Sequence, residues 1–231
     1  MIYSSTILLS TAYLPPVQYI TKFILGAPVS IEQFENYQKQ SYRNRCYIYG
    51  ANGKQSLVIP VKKSHGLKTP ITEVEIDNRY GWQKIHLKSI ESAYRLSAFY
   101  EYYADDFRRF YEKECRFLFT LNMELLHLIL SLMGIHNDPD TTKSWEAIPL
   151  NCIDYRQSIH PKIRLALRDD DFNPQPYQQV FQERYGFIPN LSVIDLLFNE
   201  GPLAADILKQ SLQAGSGSSS SSSFSPNHLI T

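Results

Sequence analysis

The chain has 231 residues, 43% of them apolar and 20% charged, the proportions of a globular domain. Lys plus Arg and Asp plus Glu each number 23, so the formal net charge is zero, which argues against a strongly basic nucleic-acid binder and against an acidic disordered chain. Three widely spaced cysteines, Cys46, Cys115 and Cys152, make neither a disulfide framework nor a zinc signature and point to a reducing compartment.

In chain order, residues 1–15 read as a strand that breaks at Tyr13-Leu-Pro-Pro16. Pro15 and Pro16 suit a helix start, and Val17, Ile20, Phe23 and Ile24 follow at helical spacing as far as Gly26. A second strand is expected within 27–34. The runs 46–49 and 56–61 flank Asn52-Gly53, a strong turn signal, and predict an antiparallel hairpin. The alternation over 71–77 predicts a half-buried strand.

From Trp82 the period becomes helical. Trp82, His86, Ile90 and Ala93 share one stripe, opposite Lys84, Lys88, Glu91 and Arg95. A second helix is expected over 98–113, rich in aromatics, with Glu101, Asp105 and Arg109 on its wet face. A third, over 117–133, is apolar nearly all round. At 17 residues, and with Asn122, Glu124 and His127 inside it, it falls short of the about 20 mostly apolar residues of a membrane span, so it reads as a core helix and no membrane span is expected.

After Gly134 the pattern weakens. A short strand is expected within 144–153, 159–167 reads neither way, and Asp169-Asp-Asp171 with Pro174 and Pro176 reads as a loop. A short helix is expected at 178–185. Ser192 and Asp195 fit a capping box opening a helix over 193–198, and Gly201-Pro202 ends it and starts another to about Leu212. From Ala214 the chain is Gly/Ser low complexity. The expectation is a single domain over 1–213 and a disordered Ser-rich tail over 214–231. The fold class expected is α/β or α+β: a mixed sheet with an antiparallel hairpin near 45–61 and a helical C-terminal part. No Lys or Arg precedes the short apolar run at Ile7–Leu9, so no signal peptide is read and the cytoplasm is the expected location.

Neutrality hides an asymmetry. Residues 1–100 carry 12 Lys or Arg and 6 Asp or Glu, a net +6, and residues 101–231 carry 11 and 17, a net −6. The two parts attract each other across an interior boundary, the asymmetry is scatter, or an anionic ligand sits in the first part. No phosphate loop, nucleophile elbow or dinucleotide fingerprint is present, and six His show no paired ligand spacing, so neither a cofactor nor a metal is expected.

The densest polar stretch is 37–45, with three cations, three amides and two phenols in nine residues. Either it is a solvated loop, or Lys39, Arg43 and Arg45 neutralise an anion while Gln40 and Asn44 read hydroxyls or amides. His86, on the inward stripe, is either a satisfied structural imidazole or a general base with Tyr94 adding a hydroxyl. Lys62, Lys63, His65 and Lys68 form a looser basic run.

The stretches STAYLPPVQYITK, YQKQSYRNRCYIYGANGKQSLVIPVK, KTPITEVEID, WQKIHLKSIESAYRLSAFYEYYADDF and GFIPNLSVIDLLFNEGP together resemble the WbqC-like family over about residues 7–212, with the spacing of Bacteroidetes-type members. Members are associated with surface-polysaccharide and O-antigen gene clusters. The resemblance therefore implies a transferase acting on an activated sugar or sugar precursor. Its partner would be an anionic small molecule such as a nucleotide sugar or acyl donor, with no nucleic acid. The family's polar positions fall on Tyr13, Lys39, Gln40, Asn44, Arg45, His86 and Tyr94, with His86 and Tyr94 implied as catalytic and the other five as anion- or substrate-binding. Ser10-Thr11-Ala12 and Gln18-Tyr19 depart from the Gln-Pro and Gly-Tyr that many members carry there. The opening strand, Pro turn and helix also look like the start of nucleotidyltransferase-type folds, but those need imidazoles at that helix start and this chain has no His before His65. The rival reading is a non-catalytic scaffold whose 16 Tyr supply a contact surface for a biosynthetic partner.

Overall fold

The computed structural model describes residues 5–62, 68–162 and 164–212. Lys63, His65 and the Ser-rich tail lie outside these residues. The fold is mixed α/β. Strands β1 (Thr6–Ser10), β2 (Val29–Glu32), β5 (Asp140–Thr141) and β6 (Cys152–Asp154) form a parallel sheet in the order β5-β2-β1-β6. The hairpin of β3 (Arg45–Gly50) and β4 (Gly53–Val58) stands apart as its own antiparallel sheet, turning at Ala51-Asn52 with Gly53 at φ +93°. Strand β1 is the hydrophobic centre of the parallel sheet, with Ile7 and Leu9 fully buried. Pro15 and Pro16 end the extended segment, and α1 (Val17–Thr21) follows at once.

The inward stripe of α2 (Trp82–Tyr94) is buried as its spacing requires, at Trp82, His86, Ile90, Ala93 and Tyr94. Helix α3 (Tyr100–Glu112) buries Tyr100, Tyr103, Phe107 and Tyr111 and leaves Glu101, Asp105 and Arg109 exposed. Helix α4 (Leu118–Leu132) runs through the core. No helix among the described residues is long and apolar enough to cross a membrane. The C-terminal part is helical, with α5 (Gln182–Tyr185), α6 (Val193–Glu200) and α7 (Ala204–Gln210).

Two local expectations are corrected. Residues 71–77 form no strand: a single 3₁₀ turn, Ile71–Glu73, leads into isolated bridges of Glu75 with Phe117 and of Ile76 with Val61. The segment is hydrogen-bonded on both sides, through Ile76 N to Arg116 O and Asp77 N to Pro60 O, but Pro60, Pro70 and the start of α4 leave no length for a ladder. The capping box also fails to form. Ser192 Oγ donates to Leu14 O at 2.8 Å instead of capping α6, and the Asp195 carboxylate turns inward to the Tyr177 hydroxyl (2.6 Å) and the Gln179 amide (2.8 Å). Residues 191–193 are stitched to the Pro turn by backbone bonds, Val17 N to Leu191 O and Val193 N to Pro15 O, so Ser192 serves tertiary docking.

Candidate functional site

The topology selects one end of the parallel sheet. The chain runs from β1 to β2, reaches β5 beyond it, and returns as β6 on the other side of β1. Strand order reverses between β1 and β6, and in open parallel sheets ligands bind in the crevice outside the carboxyl ends at such a reversal. Here that crevice is lined by Ser10, Thr11, Arg43, Tyr155, Arg156 and Ile159 around a void of about 10 Å³, the room of one water.

Most charge in this layer is already paired. Arg43, 3% exposed, makes a two-pronged ion pair with Glu35, with Arg43 Nε to Glu35 Oε1 at 2.8 Å, and also donates to Ser10 Oγ at 2.7 Å. Arg156 bonds Glu32 at 3.0 Å and Asp154 at 2.8 Å and lies over the Trp145 ring. Lys22, fully buried, pairs with Asp169 at 2.6 Å and sits 4.5 Å from the centre of the Tyr155 ring. Burial lowers the Lys22 pKa. Gln18 donates to Asp169 and exchanges bonds with Asn190. Arg43 therefore serves as a structural cation, contrary to the anion-neutralising reading of its sequence neighbourhood.

Arg45 is different. It has no ion-pair partner among the described residues, and its Nε is buried without a hydrogen-bond partner. Thr11 Oγ1 and Ser158 Oγ are likewise buried and unpartnered. Arg43 and Arg45 both bear electrostatically on Tyr37 and on His160, and Lys162 reaches the side-chain oxygen of Gln40. Thus the 40–45 segment and the 155–162 segment run side by side. Gln40 adopts φ +62°, the left-handed region, at this contact. Lys39 is exposed and borders a separate hollow of about 340 Å³ with Tyr37, Val61 and Glu73. Asn44 is buried, its amide donating to Ile59 O at 2.8 Å and its side-chain oxygen unpartnered.

His86, Tyr13 and Tyr94 lie elsewhere. Tyr13, fully buried, bonds His86 Nδ1 at 2.9 Å and the Tyr111 hydroxyl at 2.8 Å, with Trp82 packed edge-on. His86 is 3% exposed and also bonds the Val58 backbone; burial pushes its pKa down to about 4. It borders none of the hollows of 340 to 750 Å³ described for this molecule. Tyr94 is fully buried, and its hydroxyl accepts from Tyr49 N at 3.1 Å. Strand β3 explains the separation. Cys46 and Ile48 face the interior, where Cys46 bears on Tyr13 and Tyr111, and alternation puts Arg45 and Tyr47 on the other face. The structure thus unites Tyr13 with His86 and sets Arg45 and Gln40 near the loop of His160 and Lys162, but does not join the two groups around one described hollow.

Sequence reasoning missed His160, Lys162, Glu35, Arg156 and Lys22. Lys22 had a signal, as a cation inside the apolar run Ile20–Ile24; His160 and Lys162 lie in a loop where no periodicity operates. Among the fifteen tyrosines of the described residues ten are buried, so tyrosine there serves chiefly the core rather than a contact surface.

The fold is that of a mixed α/β protein with a parallel four-stranded sheet whose strand order reverses between β1 and β6. The chain belongs to the WbqC-like protein family, whose sequence model matches residues 11–155, more than half its length. It is 27% identical over 220 residues to the uncharacterized protein Rv1507c of Mycobacterium tuberculosis, covering 85% of this chain and 91% of that protein. This mycobacterial relative lends no support to a Bacteroidetes-type lineage. No solved structure matches the chain.

Proposed function

We propose that this chain is a cytoplasmic transferase that binds an activated sugar or sugar precursor in surface-polysaccharide biosynthesis, with the ligand's anionic group held at the carboxyl end of the parallel sheet. The observation that carries the reading is Arg45, a guanidinium with a buried, unpartnered Nε and no ion-pair partner among the described residues, whose charge bears on His160 in the loop that follows β6. Arg45 supplies the charge, Gln40 and Asn44 the amides that read neutral groups, and Lys39 the outer rim. Tyr13, His86 and Tyr94 act in this reading as the support behind the hairpin, because they are buried and bonded within the core, Tyr13 to His86 and Tyr111 and Tyr94 to Asp195 and the Tyr49 backbone.

Titration calorimetry with nucleotide sugars and acyl donors tests it. Wild type is expected to bind at sub-millimolar concentration, and Arg45→Ala to bind at least about tenfold more weakly, the order of one charge-assisted hydrogen bond. Binding by neither protein, or equal binding by both, rejects the site. His86→Gln is expected to lower stability by about 1–3 kcal/mol, since it removes buried hydrogen bonds, while leaving ligand affinity within about twofold.

A further inference from the structure

We infer that Arg45, His160 and Lys162 form a subsite for the diphosphate of the ligand, with His160 acting as a neutral N–H donor alongside two cations; the inference rests on the anion site proposed above and names its chemistry. Charge balance is the first argument. Arg43 and Arg156 are each held by carboxylates of their own, Glu35 and Glu32. Arg45 has no ion-pair partner among the described residues, and the partner of Lys162 is the neutral Gln40 amide. Two positive charges that both bear on His160 are thus left uncompensated among the described residues. A single carboxylate would neutralise only one of them, whereas a diphosphate matches both and offers enough oxygens for a guanidinium, an ammonium and an imidazole together.

The second argument is the state of the imidazole. His160 Nδ1 accepts the Lys162 backbone N–H at 3.0 Å. A ring nitrogen that accepts carries no proton, so Nε2 carries the ring hydrogen and can only donate. Burial, followed by the charges of Arg43, Lys162 and Arg45, lowers the His160 pKa and disfavours the doubly protonated ring. A half-buried, donor-only imidazole under the positive charge of Arg43, Lys162 and Arg45 suits a phosphoryl oxygen and is unfit to remove a proton. Ser158, 7% exposed and with its hydroxyl unpartnered, stands two residues before it on the same loop.

A diphosphate occurs both in nucleotide sugars and in coenzyme A, so the test includes both. Binding of inorganic pyrophosphate and of acetate is measured by calorimetry on wild type, Arg45→Ala, His160→Gln, His160→Leu and Lys162→Ala, with thermal melts to confirm that each variant is folded. Wild type is expected to prefer pyrophosphate to acetate by at least about thirtyfold. His160→Gln keeps an N–H donor at the position of Nε2 and should bind within about threefold of wild type. His160→Leu and Lys162→Ala should each lose about tenfold or more. UDP-glucose or coenzyme A should bind more tightly than pyrophosphate, and the tighter of the two identifies the source. Wild-type affinity in His160→Leu, equal binding of acetate and pyrophosphate, or weaker binding of both UDP-glucose and coenzyme A than of pyrophosphate would each overturn the subsite while leaving the Arg45 site standing. Loss of the Arg45 site is seen separately, as undiminished binding by Arg45→Ala.

Discussion

Asp195 has no exposed surface and no cation among its partners, so burial holds its carboxyl up, to about 6, although the Tyr177 hydroxyl and the Gln179 amide pull it down. An unfolded Asp titrates near about 3.9. The folded chain therefore holds this proton more tightly than the unfolded one. The stability it contributes is present in full below about pH 4 and is lost as pH rises through 6, on the order of 3 kcal/mol. His86 works the other way. Burial brings it down to about 4 against an unfolded value near about 6.5, so its contribution is present above pH 6.5 and is lost as pH falls toward 4, by a similar amount. Over the same window the two effects offset each other in wild type. Removing one should unmask the other. Asp195→Asn is expected to lose about 2–3 kcal/mol relative to wild type between pH 6.5 and 4.5, and His86→Gln to gain about as much. Urea unfolding of the four chains of this mutant cycle at three pH values measures both slopes. Parallel curves for all four would show that neither group titrates as its burial requires.

The elements that were legible in the sequence are those whose own side chains decide them. Asn52-Gly53 announces its turn, and the stripes of α2 and α3 announce their buried faces. Residues 71–77 misled because alternation records which side chains are buried, not whether neighbouring strands are long enough to pair. Two-residue β5 is too short to carry any period. Ser192 and Asp195 stood at capping spacing, but spacing cannot reveal that Leu14 and Tyr177, far away in sequence, offer better partners. The candidate site was legible in part for the same reason. The 39–45 cluster was visible as local composition, whereas its facing loop, with His160 and Lys162, arrives through tertiary contact alone. Two glycines at element junctions separate backbone strain from packing. Gly53 has φ +93° with nothing near a would-be Cβ, and Gly201, which joins α6 to the next turn, has φ +51° with the Phe99 ring 2.5 Å from that position. Gly53→Ala is expected to cost about 1–2 kcal/mol from strain alone. Gly201→Ala should cost roughly 1–3 kcal/mol more, from overpacking. Equal losses in chemical denaturation would mean that the Phe99 ring gives way freely.

Across the whole molecule, charge joins the early and late halves of the chain but does not sort them. Lys22–Asp169 links a cation of the net-positive first part to an anion of the second, as attraction between the parts would require. Arg156–Glu32 and Arg116–Glu75 run in the opposite sense. Cross-boundary pairing therefore does not account for the +6 and −6 by itself, and Arg45, which has no ion-pair partner among the described residues, belongs to the first part. The Lys22–Asp169 contact is the most exacting of these links, because it spans 147 residues of chain and both groups are buried. Asp169→Asn leaves the ammonium in the interior with a neutral neighbour, and breaking such a pair from one side costs about 3–5 kcal/mol. Burial already lowers the Lys22 pKa, and removing the Asp169 carboxylate takes away the largest of the influences that hold it up, leaving only the charge of Asp171. In the variant, the folded chain should shed the lysine proton well below the unfolded value of about 10.4. A lowered folded pKa makes stability rise with pH. The deficit of Asp169→Asn against wild type is therefore expected to be largest near pH 6 and to narrow by several kcal/mol toward pH 10. A deficit that stays constant over that range would place its cause in the lost Gln18 bond rather than in an unpaired ammonium.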